Sequence, residues 1–176
     1  MNMKKVAVAV AIISGMAISA ANAADDMGHG KVTFTGSIIS APCSISPESV
    51  DQTVDLGQVS DVALKDGGTS TPKFFDIKLE QCDASTLKTV AVTFTGAASA
   101  ANADLLGING SASGASVAVT DGSGQLVKLG TASPAQTIGN GSNTLEFGAY
   151  LKGDGATATV VPGSFQTVAD FTLDYK

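Results

Sequence analysis

Apolar and polar side chains alternate residue by residue from 163 to 175. Gly163, Phe165, Thr167, Ala169, Phe171, Leu173 and Tyr175 hold one phase, and Ser164, Gln166, Asp170, Thr172 and Asp174 the other; Val168 is the exception. Period two is the signature of a strand with one face on a core. Free chain ends fray unless a sheet ties them down, so a pattern running to within one residue of the end predicts a last strand integral to the fold. The same alternation recurs at Val32, Phe34, Gly36 and Ile38; at Phe75, Ile77 and Leu79; at Val90, Val92 and Phe94; and at Leu145, Phe147, Ala149 and Leu151. No stretch keeps helical periodicity beyond a turn or two, so the class is all-β. Asp66-Gly67-Gly68, Asn109-Gly110, Asp121-Gly122, Asn140-Gly141 and Asp154-Gly155 read as tight turns. Several strands at this spacing predict a sandwich. Residues 97–115, rich in Ala, Ser, Asn and Gly, read as a long surface loop with at most one helical turn.

The first 23 residues differ in kind from the rest. Lys4 and Lys5 precede an apolar run that ends in Ala21-Asn22-Ala23, the form of a secretory signal peptide cleaved between Ala23 and Ala24. The apolar run is shorter than the roughly 20 residues that span a bilayer, so no membrane insertion of the mature chain is expected. Without the leader, eight lysines face sixteen acidic residues and there is no arginine, a net charge of −8. Such a surface lacks the basic patch that neutralises phosphates, which argues against a nucleic-acid partner. Cys43 and Cys82 are the two cysteines. In an exported chain an even count suggests one disulfide, here closing a loop of about 40 residues worth about 4 kcal/mol of chain entropy.

Groups able to carry protons or a nucleophile are scarce. The single histidine, His29, stands between Gly28 and Gly30 near the start of the mature chain, a poor place to hold a general base within about 3 Å of a substrate. Gly-x-Gly occurs at Gly122, Gly139 and Gly153 without a nucleotide fingerprint. The cysteines lack Cys-x-x-Cys spacing, and the acidic residues lack the density of a calcium loop. No catalytic, cofactor-binding or metal-binding residue is expected. Residues 31–36 form a strand candidate behind a polar, glycine-rich lead, and composition leaves open whether that strand serves its own sheet or another molecule.

Gly30-Lys31-Val32-Thr33-Phe34-Thr35-Gly36, Ala41-Pro42-Cys43-Ser44-Ile45, Cys82, Gly163 fourteenth from the end and the penultimate Tyr175 together resemble chaperone-usher fimbrial subunits. The resemblance covers essentially the whole mature chain and is strongest to major rod subunits of P-type and mannose-resistant Proteus-like fimbriae. It implies an incomplete immunoglobulin-like β-sandwich completed by a donor strand from a neighbouring subunit. Under it, residues 1–23 are the signal peptide, 24–36 the donor-strand extension and 37–176 the pilin domain. Val32, Phe34 and Gly36 would enter the neighbour's groove, and Gly163, Phe165, Phe171, Leu173 and Tyr175 would border that groove and receive a periplasmic chaperone. The partners implied are identical or homologous subunits, the chaperone and an outer-membrane usher, and the destination is a cell-surface fimbrium reached through the periplasm. A minor adaptor or terminator subunit is the alternative, with a small secreted binding module behind it. A tip adhesin would need a second domain for which the length leaves no room. Intact-mass analysis of surface material should show a chain starting at Ala24, and one retaining Met1 would refute the cleavage.

Overall fold

A computed structural model of the chain describes residues 28–176. It forms two units, Met1–Ile38 and Ile39–Lys176. The signal peptide and the Ala23–Ala24 cleavage site lie outside the described residues. In the first unit, residues 28–38 contain neither strand nor helix and are exposed throughout. The strand expected at Val32 and Phe34 is therefore not formed within this single chain. An isolated strand leaves its peptide groups without a ladder, and the described residues supply this segment with none.

The second unit is built from antiparallel strands: β1 (Ser44–Ile45), β2 (Lys73–Cys82), β3 (Thr89–Gly96), β4 (Leu106–Gly107), β5 (Asn109–Gly110), β6 (Ala115–Asp121), β7 (Leu126–Val127), β8 (Gln136–Thr137), β9 (Gly141–Gly153), β10 (Phe165–Gln166) and β11 (Ala169–Tyr175). Two single-turn helices, α1 (Pro47–Val50) and α2 (Asp61–Leu64), interrupt the connection from β1 to β2. One sheet runs β1-β2-β9-β6-β4 with β7 also on β6, a second runs β11-β3-β8, and β5 pairs with β10 as a ribbon. The two larger sheets face each other across one core, the arrangement of a β-sandwich. Strand β9 sets its centre, pairing Phe147 with Phe75 on β2 and Ala149 with Val119 on β6. The Phe94 and Phe147 rings meet edge to face across the sheets at 5.1 Å, and Phe75 stacks on Phe147 at 5.8 Å.

The predicted phases hold where two sheets meet. Ile77, Leu79, Val90, Val92, Phe94, Leu145 and Phe147 are buried, while Lys78, Glu80 and Glu146 are exposed. In β2 the phase shifts at a bulge between Leu79 and Cys82, where Gln81 takes a φ of 53°. A one-residue insertion turns the next side chain over, so Cys82 faces inward and is joined to Cys43 by a disulfide.

Three readings of the sequence need correction. Asn109-Gly110 is the short strand β5 instead of a turn. Gly110 is required there by its φ of 143° and because a Cβ would lie 2.3 Å from the Ser164 carbonyl oxygen. Residues 97–115 form no simple surface loop, since they contain β4 and β5 and bury Leu105 and Leu106. Those two leucines supply the apolar anchor that a small-residue composition hid. The expected strand from Gly163 to Tyr175 is divided: β10 joins β5, β11 joins β3, and the chain changes sheets at Thr167 and at Val168, which is exposed. That is where the alternation slips. Strand β6, buried along its whole length, was not read from the sequence because Ser116, Ala118 and Thr120 pack on its second face.

Replacing both Cys43 and Cys82 with serine should lower stability by about 2–5 kcal/mol, read as a lower urea midpoint, and both sulfurs should resist alkylation in unreduced protein.

Candidate functional site

Strand β11 is an edge whose chemistry is unfinished. Among the described residues its only ladder is with β3, in the register Ala169–Gly96, Phe171–Phe94, Leu173–Val92 and Tyr175–Val90. Thr89 and Lys176 exchange both backbone hydrogen bonds, at 2.8 and 2.9 Å. Hydrogen-bonded pairs alternate along an antiparallel ladder. Asp174, Thr172 and Asp170 therefore bond to β3, whereas the peptide groups of Tyr175, Leu173, Phe171 and Ala169 point to the opposite side. Among the described residues no backbone group meets them there. The far edge of β3 is closed by contrast: the Val92 N–H donates to Ser133 Oγ, its carbonyl accepts from the Ser133 N–H, and the Phe94 carbonyl accepts from the Gly130 N–H.

The residues with open peptide groups also carry the inward side chains. Ala169, Phe171, Leu173 and Tyr175 are only half-buried, although their partners Phe94, Val92 and Val90 are 4%, 0% and 1% exposed. Phe171 reaches the aromatic cluster through Phe94, at 6.5 Å between ring centres. A core-facing strand that stays half-wet beside a dry neighbour lacks cover on one side. The chain end is pinned all the same, because the Lys176 carbonyl accepts from the Lys88 and Thr89 N–H groups and from Thr89 Oγ1.

Residues 52–60 are outside any ladder, with Val54, Leu56 and Val59 half-buried and Thr53 and Asp55 exposed. Leu56 and Val59 pack against the same core as β11. A cavity of about 250 Å³ is lined by Val59, Leu64, Ile108, Leu151, Val160 and Phe165, with Gly163 at its wall. It exceeds the roughly 150 Å³ apolar cavity that admits a benzene ring. Val54 and Leu56 alternate with exposed Thr53 and Asp55, a half-buried pattern that the sequence carries and that was not read from it.

The structure thus brings Phe165, Phe171, Leu173 and Tyr175 to one half-buried apolar surface, all four against the core. Gly163 is not in a strand; a Cβ there would come within 2.6 Å of the Ala112 nitrogen, so it allows the close approach of residues 111–112. Val32 and Phe34 are 74% and 89% exposed, and Gly36 has open space around it. The Tyr175 hydroxyl is buried without a hydrogen-bond partner among the described residues, and burial pushes its ionisation above the ordinary phenol value of 10.0.

A sandwich with one uncovered core strand, in a chain that also carries an exposed apolar segment outside any ladder among the described residues, defines a class of subunit that is complete only in an assembly. The family model described as Fimbrial protein matches residues 32–176. The chain is 65% identical to the Fimbria A protein of Serratia marcescens, with all of both chains covered. It is 48% identical to the major MR/P fimbria protein of Proteus mirabilis (strain HI4320), over 95% of this chain and 93% of that one. It also matches a solved chaperone-usher pilus structure concerned with rod uncoiling, with a TM-score of 0.75 and 37% identity, over 85% of this chain and 97% of that one. The chain belongs to the fimbrial protein family. It is a non-enzymatic structural subunit of cell-surface fimbriae and polymerises with other fimbrial subunits.

Because its ionisation is raised, Tyr175 favours the neutral phenol in the folded state. Its contribution is fully present below pH 10 and is lost as pH rises through the folded value. Stability should fall with pH in that alkaline range, and Tyr175→Phe should remove this limb of the pH–stability curve.

Proposed function

We propose that residues 30–38 are the donor strand, laid by one subunit into the groove beside β11 of the next, with Val32, Phe34 and Gly36 facing its core. One observation carries the reading: the same chain holds a half-buried apolar edge with outward peptide groups and an exposed segment with the matching period. An unpaired edge above an open core invites aggregation, and a second strand satisfies peptide groups and apolar side chains together, the mode known as β-strand addition, for which pilin complementation is a standard example. Burying Val32 and Phe34 would contribute about 1.5–3 kcal/mol each, and each ladder hydrogen bond about 1 kcal/mol. Release requires stripping the whole strand, so the filament would persist through a high barrier.

Before assembly the groove needs a temporary occupant. A periplasmic chaperone supplies it along Phe165, Phe171, Leu173 and Tyr175, and an outer-membrane usher then exchanges chaperone for subunit. Removal of residues 1–23 leaves Ala24 at the start of the donor extension. The likeness to a chaperone-usher pilus supports this route.

Phe34→Arg places a charge in the apolar groove. The variant should be exported and captured by its chaperone yet absent from filaments, as judged by electron microscopy and by sedimentation of sheared surface material. Normal filaments containing it would refute the donor assignment.

A further inference from the structure

The polar faces of the two strands are also complementary. The outward phase of β11 carries Asp170, Thr172 and Asp174, all exposed, and the corresponding phase of the donor carries Lys31, Thr33 and Thr35. We propose that Lys31 of the donor subunit pairs across the strands with Asp174 of the acceptor, setting the register of insertion. This rests on the donor-strand reading above and adds to it the residue pair that selects one alignment.

Direction follows from volume. A cavity of about 250 Å³ lies beside Phe165, and a wider cleft of about 610 Å³ lies beside Thr167 and Asp170, both at the end of the chain segment that leads into β11. An antiparallel donor brings Ile38, the last large side chain of its apolar phase, toward that end. A parallel donor would bring Gly28 and Gly30 there and leave the cavity unfilled. Register follows from phase and charge. Directly opposite residues share a face, so the apolar phases meet only when Val32 and Phe34 face residues 169, 171, 173 or 175. With Val32 opposite Leu173, Phe34 meets Phe171 and Gly36 meets Ala169, and Ile38 runs past the start of β11 on the side of Phe165. On the outer face Lys31 then meets Asp174, Thr33 meets Thr172, and Thr35 meets Asp170. Sliding two residues one way opposes Lys31 to Lys176. Sliding two the other way opposes Gly30 to Leu173 and Gly28 to Tyr175, leaving both uncovered, whereas in the proposed alignment Tyr175 alone of these two faces a glycine, Gly30.

The open peptide groups of β11 belong to its apolar phase, so Lys31 and Asp174 would occupy a non-hydrogen-bonded pair, whose Cα atoms are about 4.5 Å apart. Side chains are closest at such positions. In the single chain the Asp174 carboxylate is held by its own Lys176 at 3.1 Å, with both side chains exposed, and insertion would set it between two lysines.

Two experiments on assembled filaments test this. Lys31→Asp and Asp174→Lys should each speed subunit release in urea at low salt by about two- to fivefold, the range of a cross-strand charge pair. The double reversal K31D/D174K should return release toward the wild-type rate, and added salt should erase the differences. In the second, K31C/D174C should give oligomers resistant to detergent and collapsed by reductant, whereas K31C/D170C and K31C/T172C should not. Rescue with the first crosslink supports the pair. Filaments that crosslink best through residue 170 or 172, or that show no rescue, overturn it. F34R separates the two readings: if it blocks filaments while the charge swap fails, the register falls and donor insertion stands.

Discussion

Among the described residues strand β11 is bonded on one side only, and the rest of the molecule is arranged around that asymmetry. Its ladder with β3 closes seven residue pairs from Ala169–Gly96 to Tyr175–Val90, yet the peptide groups beside its apolar side chains face away from that ladder. Among the described residues the other side of β3 is taken by β8, Ser133 and Gly130, while the outer side of β11 meets no strand. Beside it Val90, Val92, Phe94 and Phe147 are buried.

Two features keep that core in shape while one wall is missing. The Phe75, Phe94, Phe147 and Phe171 rings form a chain of contacts that joins both sheets and ends at the open strand. The Cys43–Cys82 disulfide ties the segment before β1 to the end of β2, on the sheet opposite β11. Stiffness concentrated away from the open edge leaves the interior packed whatever lies along that edge.

Much of this was legible in the sequence wherever a strand has one buried face. Phe75, Ile77 and Leu79, and likewise Val90, Val92 and Phe94, declared their core side by simple alternation. The signal failed where burial is two-sided, as in β6, or where the neighbour is backbone: Gly110 looks like a turn residue until the Ser164 carbonyl is seen against it. It also failed at Val168, because period two says nothing about which of two sheets a strand joins. At Val32 and Phe34 the alternation is present, and the described residues pair no strand with it, so a strand-like sequence has no strand there. The cavity beside Phe165 joins residues far apart in sequence, Val59 and Leu151 among them, and no local pattern reports such a meeting.

The pinning of Lys176 to Lys88 and Thr89 also bears on timing. A polypeptide emerges from its amino end, so β3 waits for its partner through the synthesis and translocation of some 75 further residues, and contacts so distant in sequence are slow to form. Until residues 169–175 have been delivered, the second sheet has no β11 and the aromatic chain stops at Phe94. A message broken short ahead of Ala169 thus yields a product in which Val90, Val92 and Phe94 have lost the strand beside them.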